Sequence, residues 1–446
     1  MGLALHTEGL LENIRKASIS SHSGKYRREL TESIAKSSLE LADLPVYQNV
    51  LLLQGPVGPF FSKLASFFRQ RGTKTHKINF NPGDEWFYSP KEANTFLYNF
   101  TLDYWPEYLE QYLVRNQITA IFLFGDCRPI HQPAKQLCEK YGLDLWVFEE
   151  GYYRPHYFTM EYFGVNANSS FYKKSIASIL ELDSLTSKPQ PDAKFNLIKK
   201  SHLYRSLFAV TYWMINILLP FKCANYDHHR QLNFFIAYKW LKNFFAYWVH
   251  ALKDYGITKK LLQAAQDRKE KTYFLVPLQV HDDAQMVHHS DFESVEEVIE
   301  LVINSFYKHL SLEKNSAAKL IIKHHPMDRG HKNYAGFIKT LSRALGISNH
   351  VYYLHDLDLD LILPLCKGFI TVNSTIGLKA LDFGVPVKNL GRSFYDKSGI
   401  TTQKSLQEFW GNPEPVSQQN VQKLRRIIIA KTQINGCLYS PEYQLK

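Results

Sequence analysis

Short apolar runs, each ending in a polar or glycine-bearing turn, constrain most strongly what this chain can fold into. In the first part of the chain the runs are Asn49–Gln54, Thr75–Phe80, Ala120–Phe124 and Leu145–Phe148. They lead into Gly55-Pro56-Val57-Gly58-Pro59, Asn81-Pro82-Gly83-Asp84, Gly125-Asp126 and Glu149-Glu150-Gly151. The rhythm resumes at Lys271. Thr272–Val280 leads into His281-Asp282-Asp283, Lys319–Lys323 into His324-His325-Pro326, and Val351–Leu354 into His355-Asp356. Lys367–Val372 leads into Asn373-Ser374-Thr375, and Val385–Val387 towards Leu390-Gly391. Strand, turn and helix in series predict parallel sheets flanked by helices. Two such series predict an α/β fold of two Rossmann-like domains. Ligands of open α/β sheets sit beyond the carboxyl ends of the strands, so the turns hold the candidate site residues.

A chain of 446 residues exceeds one ordinary core. The expected domains are 1–265, an N-terminal Rossmann-like domain with a helical insertion at about 170–265, and 266–415, a second such domain. Within 416–446 a helix over Asn420–Thr432 is expected to pack back on the first domain. The insertion lacks strand rhythm. It carries Lys173, Lys174, Lys188, Lys194, Lys199, Lys200 and Arg205, then aromatic-rich helical stretches, His202–Phe221 and Phe234–Leu252. Its aromatics suit either a membrane headgroup layer or the insertion's own core, because helical periodicity does not say which face is wet.

Net charge is +11, which suits an anionic partner: nucleic acid, a membrane surface or a phosphorylated substrate. The five cysteines are scattered without a C-x-x-C pair, which argues against a disulfide framework or zinc site and for a reducing compartment. The N-terminus has no long apolar core, so no signal peptide is expected. The longest apolar run, Leu207–Pro220, falls short of the roughly 20 residues a spanning helix needs.

The loop after Val372 carries the most chemistry. Backbone N–H groups at a helix start attract an anion. In Asn373-Ser374-Thr375-Ile376-Gly377, Ser374 and Thr375 add hydroxyl donors and Gly377 permits close approach. Simple N-capping by Ser or Thr is the competing explanation. In Lys323-His324-His325-Pro326-Met327-Asp328-Arg329 the proline stiffens the loop holding His325, which can donate to a phosphate oxygen or act as a general acid. Gln279, His281, Asp282 and Asp283 follow another strand, and a carboxylate there can serve as base or nucleophile. The first half offers Gly55, Asp126, Arg128, His131, Glu150 and Arg154, whose acid and guanidinium groups suit an acceptor bearing hydroxyls and a phosphate.

Taken together, LQGPVGPFF, GDCRPIH, VFEEGYYRPHYFTMEYFGVN, VPLQVHDDAQ, KHHPMDRG and TVNSTIGLKALDFGVPVKNLG resemble the bacterial capsule polysaccharide synthesis family, from about Leu51 to Trp410. The S-type branch is the nearer match, rather than the longer, duplicated C-type. The resemblance implies a GT-B-like retaining β-Kdo transferase that uses CMP-β-Kdo. It places the first Kdo on lysophosphatidylglycerol, initiating the lipid-linked linker of a capsule. On this pattern His325 and Pro326 contact the CMP, with Gln279, Asn373 and Gly377 beside it, and Ser374 and Thr375 hold its phosphate. Asp283 is the nucleophile, with Asp282 the second choice. Glu150 and Asp126 are the acid/base candidates from position, and Gly55, Arg128, His131 and Arg154 face the acceptor. No cofactor and no metal is expected. The implied location is cytoplasmic and peripheral on the inner face of the cytoplasmic membrane, with the C-type Kdo transferase as a possible partner and no nucleic acid. Alternatives are another CMP-sugar transferase, such as a sialyltransferase-like enzyme, or a non-catalytic scaffold of capsule export.

Overall fold

The structure is a computed structural model that describes residues 39–182, 201–219, 242, 249–250, 252–264, 271–281, 284–313 and 316–445. The chain divides into two compact units. The first comprises Met1–Ser170, Glu181–Leu232 and Arg426–Lys446; the second comprises Phe171–Leu180 and Asn233–Arg425.

The strands are β1 (Asn49–Leu52), β2 (Lys74–Asn79), β3 (Thr95–Leu97), β4 (Ala120–Phe124), β5 (Asp144–Glu150), β6 (Tyr157–Tyr162), β7 (Tyr273–Pro277), β8 (Lys319–Lys323), β9 (Val351–Leu354), β10 (Cys366–Thr371), β11 (Val387–Asn389) and β12 (Gln433–Asn435). In the first unit they run in the order β12-β6-β5-β4-β1-β2-β3, and in the second β11-β10-β7-β8-β9. The second sheet is parallel throughout. The first is parallel from β3 to β5, with β6 and β12 antiparallel at one edge. Both units are therefore Rossmann-like α/β folds.

Helices cover both faces of the first sheet, which is why its strands are apolar on both sides. Val50 and Leu52 face Phe60, Leu64 and Phe68 of helix Phe60–Gln70, while Leu51 and Leu53 share a cluster with Trp105 and Leu109 of helix Trp105–Arg115. In the second unit Phe274 and Val276 pack with Val302 and Phe306 of helix Val295–Leu312 and with Trp410. Three strands escape the apolar-run pattern. Thr95–Leu97 and Gln433–Asn435 span three residues each, too few to show a period, and Tyr157–Tyr162 mixes Thr159 and Glu161 into its buried face. The long helix near the C-terminus is Gln418–Thr432, and β12 after it pairs with β6, Gln433 lying opposite Thr159. Among the described residues no helix is long and apolar enough to cross a membrane.

Strand order locates two crevices. From β1 the first sheet grows through β2 and β3 on one side and through β4 and β5 on the other. From β7 the second grows through β8 and β9 on one side and β10 on the other. Connections leave in opposite directions at these pairs, which opens a crevice beyond their carboxyl ends. The turns after β1 and β4 flank one crevice; those after β7 and β10 flank the other.

Candidate functional site

In the second unit, the side chains at the ends of β7 and β10 bond directly. Gln279 Nε2 donates to Asn373 Oδ1 at 2.8 Å, and Asn373 Nδ2 donates to the His289 carbonyl at 3.1 Å. Both side chains are buried, so this bridge ties the two turns together. Asn373 thus acts within the unit, fixing the loop that presents Ser374.

The helix that follows is Ile376–Asp382, and Thr375 at its start makes no side-chain cap. Ser374 accepts weakly from the Ile376 N–H at 3.3 Å, so capping accounts for little of what Ser374 and Thr375 could do. Gly377 has another explanation than ligand approach. A Cβ there would lie 2.9 Å from Tyr395 Cζ and closer still to the Tyr395 hydroxyl. That hydroxyl donates to the Ser374 carbonyl at 2.5 Å. Gly377 therefore makes room for the tyrosine that braces the loop.

After β8, His325 Nδ1 accepts from the Met327 N–H at 3.2 Å and caps the short turn Pro326–Asp328. An accepting Nδ1 puts the ring proton of a neutral His325 on Nε2, a donor suited to a phosphate oxygen. Asp328, in the same turn, is fully buried and accepts from His281 Nδ1 at 2.6 Å. His324 and His355 are buried behind this edge. His355 stacks on His250 with centroids 3.6 Å apart and lies 4.4 Å from His324. Burial pushes His324 down to about 4 and His355 to about 3, so both are neutral packing groups near pH 7. Arg329 Nη2 donates to the His355 carbonyl at 2.6 Å. Asp282 and Asp283 lie outside the described residues.

In the first unit, Arg128 reaches from the turn after β4 to the turn after β1, donating to Gln54 Oε1 at 2.8 Å and, more weakly, to the Gly55 carbonyl at 3.4 Å. It bridges this crevice as Gln279 and Asn373 bridge the other. Gly55 itself leaves room for the Phe61 ring, whose Cγ would lie 2.7 Å from an added Cβ. Asp126 Oδ2 accepts from the Val165 N–H at 3.2 Å and from Asn168 Nδ2 at 3.0 Å, so its carboxylate anchors the turn after β6. Glu150 lies at the end of β5. Arg205 approaches its Oε1 to 2.9 Å, Arg154 its Oε2 to 3.3 Å, and the Tyr439 hydroxyl donates to Oε1 at 2.8 Å.

Arg205 belongs to helix Ser201–Leu218, the described part of the aromatic-rich stretch. From its inward face the Tyr212 hydroxyl donates to Asp84 at 3.2 Å, Asn216 accepts from the Gly83 N–H at 3.1 Å, and Phe208 fills the space beside Gly58. Leu203, Leu207, Val210, Met214 and Leu218 recur on the outward face and are exposed.

His131 is 1% exposed, and its Nδ1 donates to the Gly125 carbonyl at 2.6 Å. Burial holds its pKa well below the usual range. It closes the turn after β4. Glu149, which sequence reasoning passed over for its neighbour, is the more informative acid. Burial, with Glu150 and Asp126 nearby, pushes its carboxyl up to about 7, against the pull of Arg128 and of the Glu150 N–H it accepts at 2.9 Å. Glu161 on β6 is also pushed up to about 7 by burial, and the Tyr152 hydroxyl donates to it at 2.6 Å. Strand alternation could have shown that Glu149 and Glu150 point to opposite faces, but not which face was dry. Gly151 is required by the backbone: a Cβ there would run into the Tyr157 carbonyl.

Each of the two units is thus a Rossmann-like α/β fold with a crevice at its switch point. The model of the capsule polysaccharide biosynthesis protein family matches residues 119–439. The chain is 36% identical over 417 residues to the capsule polysaccharide modification protein LipB of Neisseria meningitidis serogroup B, covering 92% of this chain and 96% of that protein. It is 34% identical over 397 residues to the capsule polysaccharide export protein KpsS of Escherichia coli, covering 87% and 96%. Among solved structures, KpsC of Thermosulfurimonas dismutans, a β-Kdo 2,7 transferase, matches 84% of this chain and 98% of its own at 13% identity, with a TM-score of 0.36. The chain belongs to the capsule polysaccharide biosynthesis family.

Proposed function

We propose that this protein is a retaining glycosyltransferase that moves the first β-Kdo from CMP-β-Kdo onto lysophosphatidylglycerol, initiating the lipid-linked linker of a capsular polysaccharide. The observation that carries the reading is the Gln279–Asn373 bridge across the switch point of the second unit. It sets Ser374 and Thr375 at the edge where a nucleotide is bound in open α/β sheets, in the same unit as His325 and Pro326. In this reading Ser374 and Thr375 hold the donor phosphate, the His325 Nε2–H donates to it, and Asp283 traps the sugar. A carboxylate close to the anomeric carbon stabilises oxocarbenium character or forms the covalent intermediate that retention requires.

The first unit supplies the acceptor side. Arg128 and Arg154 suit a phosphate-bearing acceptor. Glu149, poised near neutrality, joins Glu150 and Asp126 as an acid/base candidate, since efficient proton transfer favours a group that titrates close to the working pH. The exposed Leu203, Leu207, Val210, Met214 and Leu218 suit a peripheral seat on the inner face of the cytoplasmic membrane, where a lipid acceptor resides. Incubation with CMP-Kdo generated in situ and lysophosphatidylglycerol should give a Kdo-lipid detectable by mass spectrometry. No product at any protein concentration would overturn the reading, and competition by CMP, CDP and UDP separates this donor from other nucleotide sugars.

A further inference from the structure

His281 and Asp328 form a pair that the donor-site reading does not use. The imidazole lies just beyond β7, two residues after Gln279, and Asp328 follows β8 in the turn that begins at His325-Pro326. Asp328 is 0% exposed, while His281 keeps 31% of its side-chain surface. A buried carboxylate costs several kcal/mol unless it is well partnered. Here its partners are the His281 Nδ1–H at 2.6 Å and, more weakly, the Tyr334 hydroxyl at 3.4 Å. The turn does not need Asp328 as a cap, since His325 already caps it. Among the described ion pairs the only other to include a histidine is His309–Glu313, and there the histidine is buried and the carboxylate exposed. A buried acid behind a partly exposed imidazole is the arrangement that holds a proton-transferring histidine in one tautomer.

The two histidines at this edge differ in what Nδ1 does. His325 Nδ1 accepts a backbone N–H, so a second ring proton would have to displace that bond. His281 Nδ1 donates to a carboxylate, and its ring can take a second proton on Nε2 with that bond intact. His325 is thus suited to hydrogen-bond a phosphate as the neutral ring, and His281 to carry a proton.

We propose that His281, oriented by Asp328, gives a proton to the phosphate that leaves the sugar donor. The inference rests on the reading that the second unit binds a sugar nucleotide. In the step, the bond between the anomeric carbon and the phosphate oxygen breaks, its electron pair stays on that oxygen, and the carboxylate nucleophile of the proposed function bonds the anomeric carbon until the acceptor oxygen displaces it. The proton on His281 Nε2 moves to the phosphate, leaving a neutral imidazole whose Nδ1–H still rests on Asp328. Nε2 regains a proton from solvent, and the acceptor hydroxyl releases its own to solvent. His281 is the catalytic residue and Asp328 a positioning residue.

The test uses the full chain. In His281→Gln an amide nitrogen can replace the Nε2 donor without delivering a proton. Turnover with CMP-Kdo should fall roughly 100-fold or more, while the CMP dissociation constant and the donor KM change less than about threefold. Asp328→Asn should lower kcat at least about tenfold, again with KM held. Nitrogen-15 spectra of histidine-labelled protein, assigned by difference from His281→Gln, should show the neutral His281 ring protonated on Nδ1. An Nε2–H tautomer would overturn the pair. Wild-type turnover in His281→Gln, or a loss that appears equally as lost CMP affinity, would overturn the proton-donor role alone. Absence of CMP binding by the wild-type protein would instead overturn the donor-site reading, and the role of His281 with it.

Discussion

Gly377→Ala should destabilise the second unit by up to about 2 kcal/mol. An added Cβ would sit 2.9 Å from Tyr395 Cζ and closer to its hydroxyl, and Tyr395 is fully buried and bonded to the Ser374 carbonyl, so the ring has little room to yield. Overpacking of this kind costs about 1–3 kcal/mol. Alanine recovers about 1 kcal/mol of helix propensity inside Ile376–Asp382, which leaves the net loss stated. Tyr395→Phe alone should cost about 1 kcal/mol, because the Ser374 carbonyl loses one of its two donors and keeps the Gly377 N–H at 2.9 Å. In the double variant the closest colliding atom is gone, so the two losses should sum to more than the measured total by about 1 kcal/mol. Urea unfolding followed by hydrogen exchange of peptides from the second unit measures each value, with unchanged m as the check that only stability moved. A glycine kept for ligand approach predicts the reverse: Gly377→Ala at least as stable as wild type, with CMP binding weakened. That result would refute the packing explanation.

Three further outcomes follow from the same geometry. The His250–His355–His324 stack should fail in acid. His324 and His355 titrate below the unfolded value of about 6.5, so the unfolded chain takes their protons first. Their contribution is complete above about pH 6.5 and is lost as pH falls towards 4, on the order of 3 kcal/mol for His324 alone. Hydrogen-exchange protection of the β8 and β9 peptides, corrected for intrinsic rates, should drop between pH 7 and 5; a flat profile would contradict the burial account. Glu149→Gln should lower turnover roughly 100-fold and remove an inflection in the pH–rate profile near 7, and a variant that keeps the inflection would assign it elsewhere. Paired Leu207→Ser and Met214→Ser, both on the exposed face of helix Ser201–Leu218, should weaken binding to anionic vesicles with the fold unchanged; undiminished binding would remove this face from the membrane contact.

The sequence by itself determined the α/β class, the beds of most strands and the turns that carry polar groups. Those are local properties: a strand buried on both faces needs a continuous apolar run, and the turn beyond it needs residues that bend and bond. Ala120–Phe124, Lys319–Lys323 and Val351–Leu354 coincide with their apolar runs, whereas β3, β6 and β12 were illegible because they are short or mixed and owe their pairing to neighbours. Only the tertiary structure decided what individual side chains at the turns do. His131 and Glu149 stand in similar strand-end motifs, yet one is buried to brace a carbonyl and the other holds a proton near neutrality. Gly377 is explained by Tyr395, 18 positions further along the chain, and His281 by Asp328, 47 positions away. Burial, dielectric and hydrogen-bond partners come from residues distant in sequence, and these set charge state, tautomer and the space a side chain may occupy.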